Sequence, residues 1–153
     1  MSAVLVLPAL LAGCGSGVDV ATPELSAADA ETCAALVDSL PDTLAGEERR
    51  DIDSADAPGA AWGDPPLVLT CGVDRPAEWQ PDAACTDMGG VGWFVPEEQL
   101  TDPSAAVTAT ALTHTPYVSL VVPARYRSQG IDAALTELAG PLREHLEAGD
   151  PCV

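Results

Sequence analysis

The chain has 153 residues, 47% of them apolar and only 4% aromatic, with 24 acidic side chains against 6 basic ones for a formal charge of −18. That length fits a single domain, and its core must be built mainly from Ala, Val and Leu. The charge excludes nucleic acid, whose phosphates it would repel, and it excludes electrostatic docking onto anionic lipid.

The first predicted element is an export signal. Ala3 to Leu11 is an apolar run interrupted only by Pro8. It is too short to cross a bilayer as a helix, which takes about 20 residues, and it has the length of a signal h-region. It leads into Leu11-Ala12-Gly13-Cys14, a match to the bacterial lipobox. That motif predicts diacylglycerol on the Cys14 thiol and cleavage between Gly13 and Cys14. The small residues at 12 and 13 let a peptidase approach the backbone closely. No Lys or Arg stands ahead of the run, so a start upstream of Met1 is expected. Residues 1–13 then read as signal peptide and 14–25 as a lipidated N-terminus with a flexible tether, for Gly15-Ser16-Gly17 has linker composition. Two acyl chains anchor a protein stably, at about 0.8 kcal/mol per buried methylene. A tether of that length wanders about 18 Å. The acidic domain is therefore expected outside the cell, near the outer face of the cytoplasmic membrane.

Residues 26–153 read as one globular domain. Ser26 is a predicted N-cap, with Asp29 and Glu31 in the first turn to suit the helix dipole. Ala30, Cys33, Leu36, Val37 and Leu40 form an i, i+3, i+4 stripe, and Pro41 stops it. The prediction is a helix over 27–39. Residues 42–59 are polar around Glu47-Glu48-Arg49-Arg50 and predict loop, a short helical turn or an edge strand. Leu67–Cys71 has strand length behind Pro65 and Pro66, whose missing N–H groups are tolerated there. Residues 74–90 read as a long loop. Val91–Val95 is a second strand that Pro96 ends. Ala105–Leu112 alternates and Tyr117–Val122 is β-branched, with His114-Thr115-Pro116 as their hairpin connection. Ile131–Leu138 and Leu142–Leu146 have helical spacing, broken at Gly140-Pro141. The order predicts an α+β fold: a mainly antiparallel sheet of about four strands, with the N-terminal helix and the C-terminal helices packed on one face.

Setting Cys14 aside leaves Cys33, Cys71, Cys85 and Cys152, an even number in an exported chain and so a pair of disulfides. None of the spacings is C-x-x-C, which argues against a zinc ribbon or a redox pair. Each bridge is worth about 2–4 kcal/mol. Sequence leaves the connectivity open; Cys33–Cys71 with Cys85–Cys152 is preferred, because it fastens the first helix to the first clear strand and holds the C-terminus.

One stretch invites a functional reading: Ala60-Ala61-Trp62-Gly63-Asp64-Pro65-Pro66 running into Cys71-Gly72-Val73. Gly63 can take angles other residues avoid, Asp64 can cap the turn, and Trp62 supplies apolar surface to an aromatic-poor core. The expectation is a corner that forms core. Trp62, Asp64 and Trp93 are retained as candidate ligand-contacting residues. With the lipobox, Cys33-Ala34-Ala35-Leu36, Leu40-Pro41, Arg49-Arg50, Gly92-Trp93-Phe94-Val95 and Val121-Val122-Pro123 before Tyr126, this stretch carries a resemblance. The chain resembles a domain-of-unknown-function family of actinobacterial lipoproteins and secreted proteins over most of its mature length. The resemblance implies export, anchoring and an envelope setting, and it implies no activity.

No catalytic constellation is readable. There is no H-E-x-x-H, G-x-S-x-G or P-loop. His145 sits beside Glu144 and Glu147 on a charged helix face. His114 has no ligand-type residue at metal spacing. Asp51-Ile52-Asp53-Ser54-Ala55-Asp56 begins like a calcium loop, but Asp56 and Trp62 stand where a glycine and a glutamate belong. No catalytic residue, metal or cofactor is expected. The expected function is a membrane-anchored, non-enzymatic binding or accessory module. Its partners would be the membrane, through its lipid, and an envelope protein. The alternatives are an envelope hydrolase using acidic residues and a small-solute-binding lipoprotein. A deep pocket near Trp62 or Trp93 would favour the receptor, and an exposed apolar patch the protein-binding module.

Overall fold

The computed structural model describes residues 17–128 and 131–151. The signal peptide, Gly13, Cys14 and Cys152 lie outside the described residues. In chain order the elements are α1 (Ala27–Ser39), β1 (Thr43–Leu44), β2 (Glu47–Arg50), β3 (Gly59–Trp62), β4 (Leu67–Cys71), β5 (Thr86–Met88), β6 (Val91–Phe94) and α2 (Glu97–Thr101). There follow β7 (Val107–Ala111), β8 (His114–Thr115), β9 (Val118–Val122), α3 (Ala124–Arg127), α4 (Ile131–His145) and β10 (Glu147–Ala148).

The class is α+β as expected, but the sheet is twice the expected size. Its eight strands run in the order β1-β2-β3-β4-β9-β7-β6-β5, with antiparallel neighbours throughout. A separate antiparallel pair joins β8 to β10. The four expected strands are β4, β6, β7 and β9. Of the additional ones, β3 is Gly-Ala-Ala-Trp and buried throughout, the stretch read from sequence as a corner, while β2 and β5 carry no apolar alternation: β2 is Glu-Glu-Arg-Arg and β5 is Thr-Asp-Met. Their backbones join because a neighbour offers an unpaired edge, a cause that lies elsewhere in the chain. The hairpin expected between β7 and β9 forms, and its connection doubles as β8.

The register decides which side chains face the helices. On one face Trp62, Leu67, Leu69, Val118, Leu120, Val122, Ala109 and Trp93 join a single buried cluster with α1 and α4. α1 starts at Ser26, whose Oγ accepts from Asp29 N–H at 3.1 Å, and buries Cys33 and Leu36. The predicted Cys33–Cys71 bridge is present and fastens α1 to β4, with Cα atoms 5.7 Å apart. Cys85 is also disulfide-bonded.

Two expectations need correcting. The predicted break at Gly140-Pro141 does not occur; α4 runs unbroken with Pro141 inside it. An internal proline costs a helix about 3 kcal/mol. Leu138 and Leu142 straddle it and are fully buried, and each such leucine returns about 1.5–3 kcal/mol. Packing therefore outweighs the local defect. The tether expected over 14–25 does not extend through its second half. Val18 forms a parallel bridge with Ile52, donating to Asp51 O at 2.9 Å and accepting from Asp53 N–H at 3.0 Å. Val20 is buried, against Gly59, where an added Cβ would also lie 2.1 Å from Leu69 O. Gly17 also serves close approach, for an added Cβ there would lie 2.6 Å from Asp53 Oδ1.

Candidate functional site

The Trp62 corner turns the chain into the core. Trp62 is completely buried, and its indole N–H donates to Pro41 O at 2.9 Å. Arg49 lies over the indole ring, its Cζ 5.7 Å from the centroid. Its guanidinium donates to Leu40 O and Val37 O at 3.2 and 3.3 Å. These are the carbonyls at the C-terminal end of α1, where a cation complements the helix dipole. Arg50 donates to Gly63 O at 2.8 Å, and Arg125 donates to Asp64 O. Gly63 has φ +76°, and a Cβ there would come within 2.6 Å of Tyr126 Oη. Burial, and after it the charge of Glu47, pushes the Tyr126 phenol above its ordinary pKa. Asp64 contributes its carbonyl while its side chain stays exposed.

Trp93 lies elsewhere. β4, β9 and β7 stand between β3 and β6, a separation of about 19 Å at ordinary strand spacing. Trp79 is a third location, where Arg75 packs 4.5 Å from its ring centroid and donates to Tyr117 Oη at 2.6 Å. The three tryptophans form no shared face, and Trp62, Asp64 and Trp93 form no shared loop.

What the fold creates at Trp93 is a groove. α4 packs against β5 and β6, and the core opens beside its first turns. There a groove of about 590 Å³ forms between β5, β6, α2 and the first turns of α4. Thr86 and Met88 come from β5, Trp93 and Phe94 from β6, Leu100 from α2, and Ile131 and Leu135 from α4. Leu100 is 56% exposed, the one large apolar side chain so open among the described residues. Glu78, Glu97, Glu98 and Asp132 also line the groove. All four are exposed, and none of the described lining residues is basic.

Trp93 is only 1% exposed, and its Nε1–H has no hydrogen-bond partner among the described residues. A buried donor left this way costs about 1–3 kcal/mol. Trp62 differs, for its buried indole N–H is satisfied by Pro41 O. Trp93 was legible as a candidate in the sequence. Leu100, within Pro96-Glu97-Glu98-Gln99-Leu100, was missed; an isolated leucine in an acidic stretch was the available signal.

A second hollow surrounds His114, lined among others by Cys85, Asp87 and Arg143. Thr113 Oγ1 accepts from Gly92 N–H at 2.8 Å and lies 3.1 Å from His114 Nδ1. Burial, and then the Arg143 charge, holds the His114 pKa below its ordinary value, so its imidazole is neutral at pH 7. Asp102 is held below the ordinary carboxylate range by the Ser104 hydroxyl and backbone N–H. Among the described residues, no group of three or more His, Cys, Asp or Glu side chains is arranged to hold a metal ion.

A family model described as "Protein of unknown function (DUF3515)" matches residues 1–151. No curated protein and no solved structure gives a match.

Proposed function

Because the chain belongs to that family, whose description names no activity, we propose a function from the chemistry of its own residues: an exported, lipid-anchored binding module whose ligand site is the groove at Trp93. The observation that carries the binding reading is the groove itself, lined by Trp93, Phe94, Ile131 and Leu135 with the exposed Leu100 beside them. An apolar lining with a few convergent polar groups is the usual form of a ligand site. The four carboxylates stand exposed, which suits attraction of a cation. Acid–base catalysis draws instead on carboxylates withdrawn from water.

Anchoring rests on Leu11-Ala12-Gly13-Cys14. Export is supported by the Cys33–Cys71 bridge, since disulfides persist in oxidising compartments. Cys152 is the proposed partner of Cys85: the neighbouring Pro151 lines the same hollow as Cys85. A second reading, a receptor for a small solute, is favoured by the groove's size, about 590 Å³ against the usual range of about 300–1,000 Å³.

Fractionation of cells expressing the full chain tests the anchor. The protein is expected in the membrane pellet and Cys14→Ser in the soluble exported fraction. Equal partitioning of the two would remove the lipid from the account.

A further inference from the structure

We infer that the groove at Trp93 takes an extended, apolar peptide segment bearing Lys or Arg, presented by a partner protein. This inference rests on the groove being the binding site and names its ligand class.

Three independent features select that chemistry. The first is charge. Glu78, Glu97, Glu98 and Asp132 line the groove with no salt bridge among the described residues, while the nearby Arg127 guanidinium is held on the Leu100, Asp102 and Ala105 carbonyls, in a chain of net charge −18. An anionic ligand is repelled, and a cationic one is drawn in and oriented. The second is the buried, unpartnered donor. Trp93 lines the groove with its Nε1–H buried and without an acceptor among the described residues, and on binding its indole turns to give that N–H to a peptide carbonyl, an acceptor that a lipid chain lacks. The third is the sheet edge. Among the described residues β5 ends the strand order and pairs with β6 alone, so its outward backbone groups have no strand partner there. An extended segment can align along such an edge and drop alternate side chains into an adjoining groove. Thr86 and Met88, two apart on β5, both line that groove. Leu100, at 56% exposure, offers an apolar contact at the mouth, and the carboxylates beside it receive the basic side chains.

The test uses the oxidised full-length chain and two synthetic peptides. One is a short run of Val, Leu and Thr with Lys at both ends; the other replaces Lys by Glu. The readout is the assigned Trp93 indole N–H resonance, with those of Trp62 and Trp79 as internal controls. The Lys peptide is expected to move the Trp93 signal downfield, with a half-saturation that rises with salt. The Glu peptide is expected to leave it in place. Glu97→Gln with Glu98→Gln should weaken the Lys peptide about tenfold, and Leu100→Ser, which removes the apolar contact and adds no charge, should weaken it as well. These exposed positions can change without unfolding the chain. An equal response to both peptides overturns the inference. Cyclohexanol, a neutral apolar probe with one hydroxyl acceptor, separates the remaining outcomes. If it moves Trp93 and the Lys peptide does not, the peptide inference falls and the groove stands as a small-solute site. If neither moves Trp93, the groove reading falls as well.

Discussion

Replacing Cys33 and Cys71 together by Ala removes the bridge between α1 and β4. The bridged residues are 38 apart in sequence, and the chain-entropy relation then gives a loss of about 4 kcal/mol at 25 °C. Both sulfurs sit in side chains with no solvent exposure, so the substitutions also leave small voids. Stability of a domain this size is typically about 5–15 kcal/mol, so the loss takes a quarter or more of it. At roughly 3 °C per kcal/mol, the melting temperature should fall by about 12 °C. Equilibrium urea unfolding of the oxidised protein and the double variant measures the difference directly. Reduction of the wild type should reproduce at least the variant's loss, because Cys85 is bridged too. A difference below about 1 kcal/mol, with the wild type indifferent to reductant, would refute the view that α1 is held by a covalent staple.

Arg49→Met keeps the apolar stem over Trp62 and removes two hydrogen bonds to the end of α1. It should cost about 1–2 kcal/mol in the same unfolding assay. Gly63→Ala forces a side chain into a left-handed backbone against Tyr126 and should cost about 1–3 kcal/mol. Leu100→Asp, on an exposed site, should change stability by no more than about 0.5 kcal/mol. His114 has a folded-state pKa below its ordinary 6.5. The unfolded chain therefore binds a proton first as pH falls. Stability is full above pH 6.5 and declines as pH drops through the folded value. His114→Gln should flatten unfolding midpoints between pH 7 and pH 5 relative to the wild type.

How far the fold could be read depended on whether each element carries its own cause. α1 was readable to the residue because Ser26, the Cys33–Leu36–Leu40 stripe and Pro41 act locally. β4 and β9 were readable because they are buried and apolar. β2 was left open among loop, turn and edge strand, because its four residues are all charged. Arg49 nonetheless faces the core side, and it does so by laying its long stem on Trp62 and spending its charge on α1. The rule that a charged residue faces water fails there, since the compensating carbonyls belong to another element. Pro141 misled for the same reason: its local cost was visible and the burial of Leu138 and Leu142 was not. The groove was the least legible feature. It exists where β5, β6, α2 and the first turns of α4 meet, and no one of these segments encodes it. Its parts come from residues 78–100 and 131–135, far apart in the chain. Trp93 was singled out for its type, while its significance comes from a missing hydrogen bond.

Export, lipid on Cys14 and bridging of the other four cysteines together make up the proposed state of the mature protein. Intact mass spectrometry of the protein extracted from native membranes, without reductant and with a thiol-alkylating reagent, tests this directly. The expected result is loss of residues 1–13, a diacylglyceryl adduct on Cys14 and no alkylated thiol, with Cys33–Cys71 and Cys85–Cys152 recovered as linked peptides after digestion. A polypeptide that retains Met1, carries no lipid and takes up alkylating reagent at all five cysteines would contradict it.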